Sequence, residues 1–430
     1  MRILWLLSLV VAGRAAAASP VDRALAAKAL AEWARVCEPD GQLLWRKSLC
    51  GPMVLVDPST RAAIANRPDP DGKFHKEGDI FAGRFPDRFT PSNTALEWGG
   101  EEWSTVILPL PADPFARLSL LAHESFHRVQ SSIGLGASDA PNAHLDTEPG
   151  RLWLRLELRA LARSLRAEGP AARRSAADAM LFRLYRHRLC PGSESAEASM
   201  EKQEGLAEYT GVFVALRATG ENIGREARAV EAYEDSSSLA RSFAYATGPA
   251  LGLLLDRYAA GWRSRASSAS LDSMLVAALH AQPSADLEHA ARERAALYGY
   301  SAVAAAERER EERHQEYLAD LKTRFLDSPT LDFPIAPELR RNFNPNTLVP
   351  FPPHGTYYPT GTFSAGWGRL QVESGGALLA PDNRSLRVSA PTDPAAHPVQ
   401  GDGWTLQLAP GWTVQPGTRA GSFVVVHTGQ

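Results

Sequence analysis

Five residues, His123-Glu124-Ser125-Phe126-His127, are the densest chemistry in this chain. On an α-helix, residues four apart share a face, so both imidazoles can reach one metal ion. Glu124 then projects beside that ion, where its carboxylate can take a proton from water. The pattern has this meaning only on a helix, and its flanks supply one. Asp113-Pro114 reads as an N-cap followed by proline at the first helical position. Leu118, Leu121, Ala122, Phe126 and Val129 recur at helical spacing. The prediction is a helix over 114–133, ended by Gly134. The competing reading is an ordinary helix with two surface histidines.

A hydrolytic metal centre of this kind takes three protein ligands and keeps one position open, so two histidines are not enough. The missing ligand is sought downstream, in Glu204-Gly205-Leu206-Ala207-Glu208-Tyr209. Glu204 and Glu208 are four apart and share a helix face. One carboxylate can bind metal while the other accepts the free ring N–H of a ligating histidine, orienting it and raising its basicity. Glu201 and Glu157 are weaker alternatives. Glu157 sits among leucines and arginines, where salt bridges are the simpler use of it.

The His-Glu-x-x-His and Glu-Gly-Leu-Ala-Glu-Tyr segments together resemble the gluzincins, zinc metallopeptidases whose third zinc ligand is a glutamate. The resemblance covers roughly 103–256. It implies an α+β, zincin-like catalytic domain: a small N-terminal sheet, the histidine helix and a mainly helical C-terminal subdomain. It implies one zinc ion held by His123, His127 and Glu204, with Glu124 as general base and Glu208 supporting a histidine. Tyr245-Ala246-Thr247-Gly248 is similar to a Tyr-x-x-Gly segment of the aminopeptidase branch. Its tyrosine donates a hydrogen bond to the developing oxyanion, which gives Tyr245 that role; a core tyrosine capping a helix is the alternative. Thr247 stands where that branch has lysine. The separation from His127 to Glu204 is longer than in the thermolysin and aminopeptidase branches, and helices over 151–167 and 171–189 account for it as an insertion. The stretch 103–108 is the candidate strand along the cleft, where a peptide can pair backbone to backbone; an interior strand is the alternative. The implied activity is peptide-bond hydrolysis on a peptide or protein substrate. A non-catalytic binding protein with a degenerate or structural zinc site, or a zinc hydrolase of a non-peptide amide, remains open.

These residues need elements to hold them, and the chain is long enough to build those elements. Its 430 residues are 44% hydrophobic and 22% charged, the balance of a globular protein. A net charge of -3 gives no electrostatic case for nucleic acid or an anionic membrane. Met1-Arg2, an apolar run over 3–11 and small residues over 15–19 read as a secretory signal peptide, 1–18. The expectation is a secreted or periplasmic protein with no stable membrane insertion after cleavage. Cys37 and Cys50 flank a turn-like Pro39-Asp40-Gly41 and are expected to pair, worth about 2–3 kcal/mol for a loop of that size. Pairing of either with Cys190 stays open.

In order, the chain predicts a helix over 20–36, then strands over 51–56, 80–83, 95–98 and 103–108, with a loop over 57–78. Helices follow the histidine helix over 151–167, 171–189, 194–219, 225–260 (broken near 235–238) and 270–326. From 331 onward Pro, Gly and aromatic residues rise and helical periodicity stops. The domains expected are the signal peptide, a metallopeptidase domain over 19–330, and a β-sandwich or barrel over 331–430.

Overall fold

An amphipathic helix, Arg23–Trp45 (α1), buries Ala26, Leu30, Trp33 and Leu44. The computed structural model describes residues 22–137, 140–281, 284–334, 339–344 and 347–429. The expected signal peptide lies outside the described residues. Six short strands follow α1: Met53–Val56 (β1), Ala62–Ala65 (β2), His75–Glu77 (β3), Ile80–Arg84 (β4), Thr94–Trp98 (β5) and Glu101–Ile107 (β6). They form one sheet in the order β3-β4-β2-β1-β6-β5. β1 and β6 run parallel, and the other pairs are antiparallel.

β1 is buried along its whole length because both faces of the sheet are covered. Met53 and Leu55 enter the main core, while Val54 and Val56 join a second one with Phe85, Trp98 and Trp103. That division is the two-residue period of a strand. Gly99 and Gly100, at φ 67 and 83, turn β5 tightly into β6, a conformation that side-chain-bearing residues resist.

Two sequence expectations change here. The stretch 57–78, read as loop, supplies β2 and β3. The 103–108 stretch is not at the sheet edge. β6 lies between β1 and β5, Trp103 is buried in the second core, and β5 is the marginal strand.

Pro114–Gln130 (α2) forms as its caps dictate. The Asp113 carboxylate accepts the Ala116 N–H, and Pro114 occupies the first turn. A 3-10 turn, Ser131–Ile133, extends the helix, and Gly134 ends it at φ 73. One side of α2 lies against β5 and β6. Then come Glu148–Arg166 (α3), Gly169–Leu189 (α4), Ser193–Met200 (α5), a π-helical turn Glu201–Gly205, and Leu206–Thr219 (α6). Gly224–Ala232 (α7), Phe243–Tyr258 (α8), Leu271–Leu279 (α9) and Leu287–Ala295 (α10) follow. α6 packs along α2 closely enough that a Cβ on Gly211 would lie 2.6 Å from the Ser119 carbonyl oxygen. Cys37 and Cys50 are disulfide-bonded, and Cys190 is a free thiol.

The chain divides into two compact units between Ala305 and Ala306, inside the helix Tyr300–Lys322 (α11). The expected boundary was the end of the helical region, near 330. It falls earlier because Leu321 and Phe325 pack with Phe351, Tyr357 and Leu378 of the second unit. That unit contains Thr330–Pro334 (β7), Arg340–Asn342 (β8), Val349–Phe351 (β9), Gly355–Tyr358 (β10), Gly361–Ala365 (β11) and Gly368–Val372 (β12). Ala377–Leu379 (β13), Ser385–Ser389 (β14), Val399–Gly401 (β15), Trp404–Leu408 (β16), Trp412–Pro416 (β17) and Phe423–His427 (β18) complete it. They make two sheets, β17-β18-β7-β14-β13-β10-β9 and β15-β16-β12-β11-β8, around a core that includes Leu331, Phe363, Trp367, Leu370, Leu386 and Leu406. The protein is thus mixed α+β, with a largely helical first unit and a β-rich second unit. No helix among the described residues is long and apolar enough to cross a membrane.

Candidate metal centre

α2 presents His123 and His127 one turn apart, with their Nε2 atoms 3.0 Å from each other. The π-helical turn between α5 and α6 carries Glu204 to the same point. Its Oε2 lies 3.5 Å from each of the two Nε2 atoms. Tetrahedral ligands at bond lengths of about 2.0–2.2 Å stand about 3.3–3.6 Å apart. Both histidine–carboxylate separations fall in that range, and the histidine–histidine one lies just below it.

Hydrogen bonds behind the rings set the donor atoms. His123 Nδ1 is 2.8 Å from Glu208 Oε2, which can only accept from it when ionised. His127 Nδ1 is 3.0 Å from Gln130 Oε1. The Gln130 amide orientation is fixed in turn, because its Nε2 donates to the Lys202 and Gln203 carbonyls. Both Nδ1 atoms therefore carry the proton in the neutral rings. Both Nε2 lone pairs are left pointing at Glu204 Oε2. Two lone pairs and a carboxylate converging on one point repel unless a cation or a proton lies between them. Without metal it is a proton. Burial opposes the charge on His123, but hydrogen bonds to Glu204 and Glu208 outweigh it and raise its pKa to about 10. For Glu204, burial works upward, and the two histidines override it and hold its carboxyl well below the usual range. A His-His-Glu donor set of this geometry fits zinc.

Glu124 stands beside this point, 4% exposed, and its Oε2 is buried with no hydrogen-bond partner. An orphaned buried carboxylate oxygen is costly, and beside the donor set it leaves an acceptor for an incoming donor. Burial raises its pKa above the ordinary value, while the charges of His123 and His127 temper the rise. The Glu124 backbone is held by Ser104 of β6, whose hydroxyl donates to the Glu124 carbonyl.

Tyr245, near the start of α8, reaches the same cluster. Its ring stacks on His123 with centroids 5.8 Å apart, and its hydroxyl donates to Glu204 Oε2 at 2.7 Å. Burial, then the Glu204 charge, push the phenol well above its ordinary pKa, so it remains a donor. The hydroxyl thus meets the metal-facing carboxylate directly.

The alternative ligands lie elsewhere. Glu201 and Glu157 are both taken up by Arg183, and Glu157 by Arg186 as well. His144 is bound to Glu197 at 2.7 Å, and Asp146 caps the Ser238–Ala240 segment by accepting from Leu239 N and Ala240 N. Burial raises the Cys190 thiol pKa, the opposite of an activated nucleophile. Sequence reasoning missed Gln130 and Ser104. Gln130 had a signal, since it lies three residues after His127 on the same helix face. Ser104 had none, because it depends on how β6 meets α2. Compared with known proteins, the chain matches no family, no curated protein and no solved structure.

Proposed function

We propose that the protein is an exported, gluzincin-type zinc metallopeptidase with a zincin-like catalytic domain. The observation that carries the reading is the convergence of two imidazole Nε2 atoms and one carboxylate oxygen beside the buried, unpartnered Glu124 carboxylate oxygen. A merely structural metal site has no use for that last group. Zinc, when bound, supplies a Lewis acid that polarises the scissile carbonyl and acidifies water. His123, His127 and Glu204 hold it.

Glu124 takes a proton from the attacking water and delivers it to the departing amine. Its burial strengthens it as a base relative to a solvated glutamate. Glu208 and Gln130 keep the imidazoles in the ligating tautomer and orientation. Tyr245 offers its hydroxyl toward charge that develops next to Glu204. β5 replaces 103–108 as the strand for the substrate, since it is the sheet margin and lies against α2.

The test is Glu124→Gln, assayed with a fluorogenic peptide library beside elemental analysis. The variant retains its zinc and loses hydrolysis. Undiminished cleavage by it removes Glu124 from the mechanism.

A further inference from the structure

Behind the metal centre lies a second cluster of charge, and it is closed. Arg183, Arg186, Glu157, Glu197 and Glu201 are each at most 1% exposed. Arg183 donates to Glu157 Oε1 at 2.8 Å and grips both oxygens of Glu201 at 2.9 and 2.6 Å. Arg186 donates to Glu157 Oε2 at 2.6 Å and to both oxygens of Glu197 at 3.0 and 2.6 Å. His144 and His187 complete the shell of Glu197. Such a network is an expensive way to fill a core, and apolar side chains of like volume often do as well. Its position shows what it holds in place.

The network's last carboxylate, Glu201, opens the π-helical turn that carries Glu204. Glu201 Oε1 also accepts a 2.6 Å hydrogen bond from the hydroxyl of Thr247, which is fully buried in α8. Three contacts therefore join the same two short segments, 201–205 and 245–248. Glu201 meets Thr247 at the buried end. Gly205 meets Gly248 in the middle, so closely that a Cβ on Gly248 would lie 2.2 Å from the Gly205 Cα. Glu204 meets Tyr245 at the metal end. A π-turn fits an extra residue into a helix and is rare, so its surroundings help to fix it beside its own Leu206 N–H to Glu201 carbonyl bond. Here the surroundings are Arg183, which fixes Glu201, and Thr247, which ties that fixed point to α8.

We infer that Glu201 and Thr247 are positioning residues: their hydrogen bond sets the register between the π-turn and α8, and so places the Glu204 carboxylate and the Tyr245 hydroxyl against each other and the metal. This rests on the metallopeptidase reading, but it concerns residues that touch neither metal nor substrate. It also gives the segment that separates the histidine helix from Glu204 a task. α3 and α4 supply Glu157, Arg183 and Arg186, the anchor of the turn that carries the third ligand.

The experiment substitutes cobalt for zinc in the full-length protein and compares Thr247→Val with Thr247→Ser. Valine keeps the shape and removes the hydroxyl; serine restores it. Thr247→Val stays folded by circular dichroism and binds one cobalt, but its visible spectrum shifts, because Glu204 no longer meets the metal in the same way. Its kcat for peptide cleavage falls about 10- to 100-fold with little change in KM, as expected when a catalytic group is misplaced by a fraction of an ångström. Thr247→Ser regains the wild-type spectrum and rate. In a Tyr245→Phe background, Thr247→Val still shifts the cobalt spectrum, since Glu204 is displaced whether or not the Tyr245 hydroxyl is present. Should the valine variant not fold, Thr247→Ala carries the same comparison. A folded variant without the hydroxyl that keeps the wild-type spectrum and kcat overturns the inference and leaves the metallopeptidase reading intact. Wild-type protein that takes up no cobalt overturns both.

Discussion

Two buried charge clusters sit back to back in the first unit, built from the same kinds of side chain, and they differ in one respect. Around Arg183 and Arg186, the carboxylate oxygens of Glu157, Glu197 and Glu201 all have a donor. Around His123 and His127, groups are left unmatched: two imidazole Nε2 atoms and a carboxylate oxygen crowd on one point, and a Glu124 oxygen has no partner. A closed cluster can only hold structure. An open one leaves a place for a ligand, because its own atoms do not complete it.

The largest effect that can break this contrast is chemical. Glu124→Gln lowers peptide hydrolysis by about a thousandfold or more while metal content stays at one per chain. Next comes the exchange of stability for metal binding. Arg186→Met strips donors from two buried carboxylates and costs about 3–5 kcal/mol of unfolding free energy in denaturant titrations. Glu204→Gln abolishes tight metal binding, yet changes the stability of the metal-free protein by only about 1–2 kcal/mol. Equal stability losses from the two would erase the distinction.

A third effect is a pH dependence. In the metal-free protein His123 holds its proton up to about 10, so at lower pH metal uptake must displace it. Apparent metal affinity therefore rises about tenfold per pH unit across the neutral range, and the rise stops above the His123 pKa. Chelator-competition titrations read this directly, and a flat profile would show that no proton is displaced. A fourth effect, on stability alone, concerns Glu226, buried in α7 near Glu208. Burial, then the Glu208 charge, raise its pKa to about 8 from the ordinary 4.5. Between those values the unfolded chain is ionised while the folded one keeps its proton, so stability falls as pH rises. Glu226→Gln removes that fall and gains on the order of a few kcal/mol near pH 8. Thermal unfolding across the range checks it.

What the sequence revealed follows the same division between local and distant. α2 was legible because everything that makes it is local: the Asp113 cap, Pro114, the apolar repeat and Gly134. Glu204 and Glu208 were legible as a pair four apart. The π-turn between Met200 and Leu206 was not, because an inserted residue in a helix leaves no mark in composition or periodicity. Nor was the order of the sheet. Which of β5 and β6 is marginal depends on β6 pairing with β1 across some fifty residues, a choice no local pattern encodes. β2 and β3 hid in a stretch whose Pro, Asp and Gly read as turns, since each is only a few residues long and held by its neighbours. Glu226 was read only as part of a helix; its burial beside Glu208 is a product of packing.

The most direct test of the account is the zinc content of the purified full-length protein and three variants, measured by elemental analysis after dialysis at neutral pH. One zinc per chain in the wild type and in Glu124→Gln, and none in His127→Ala or Glu204→Gln, is the predicted result. A wild-type protein that holds no zinc after loading, or a His127→Ala variant that keeps it, would contradict the account.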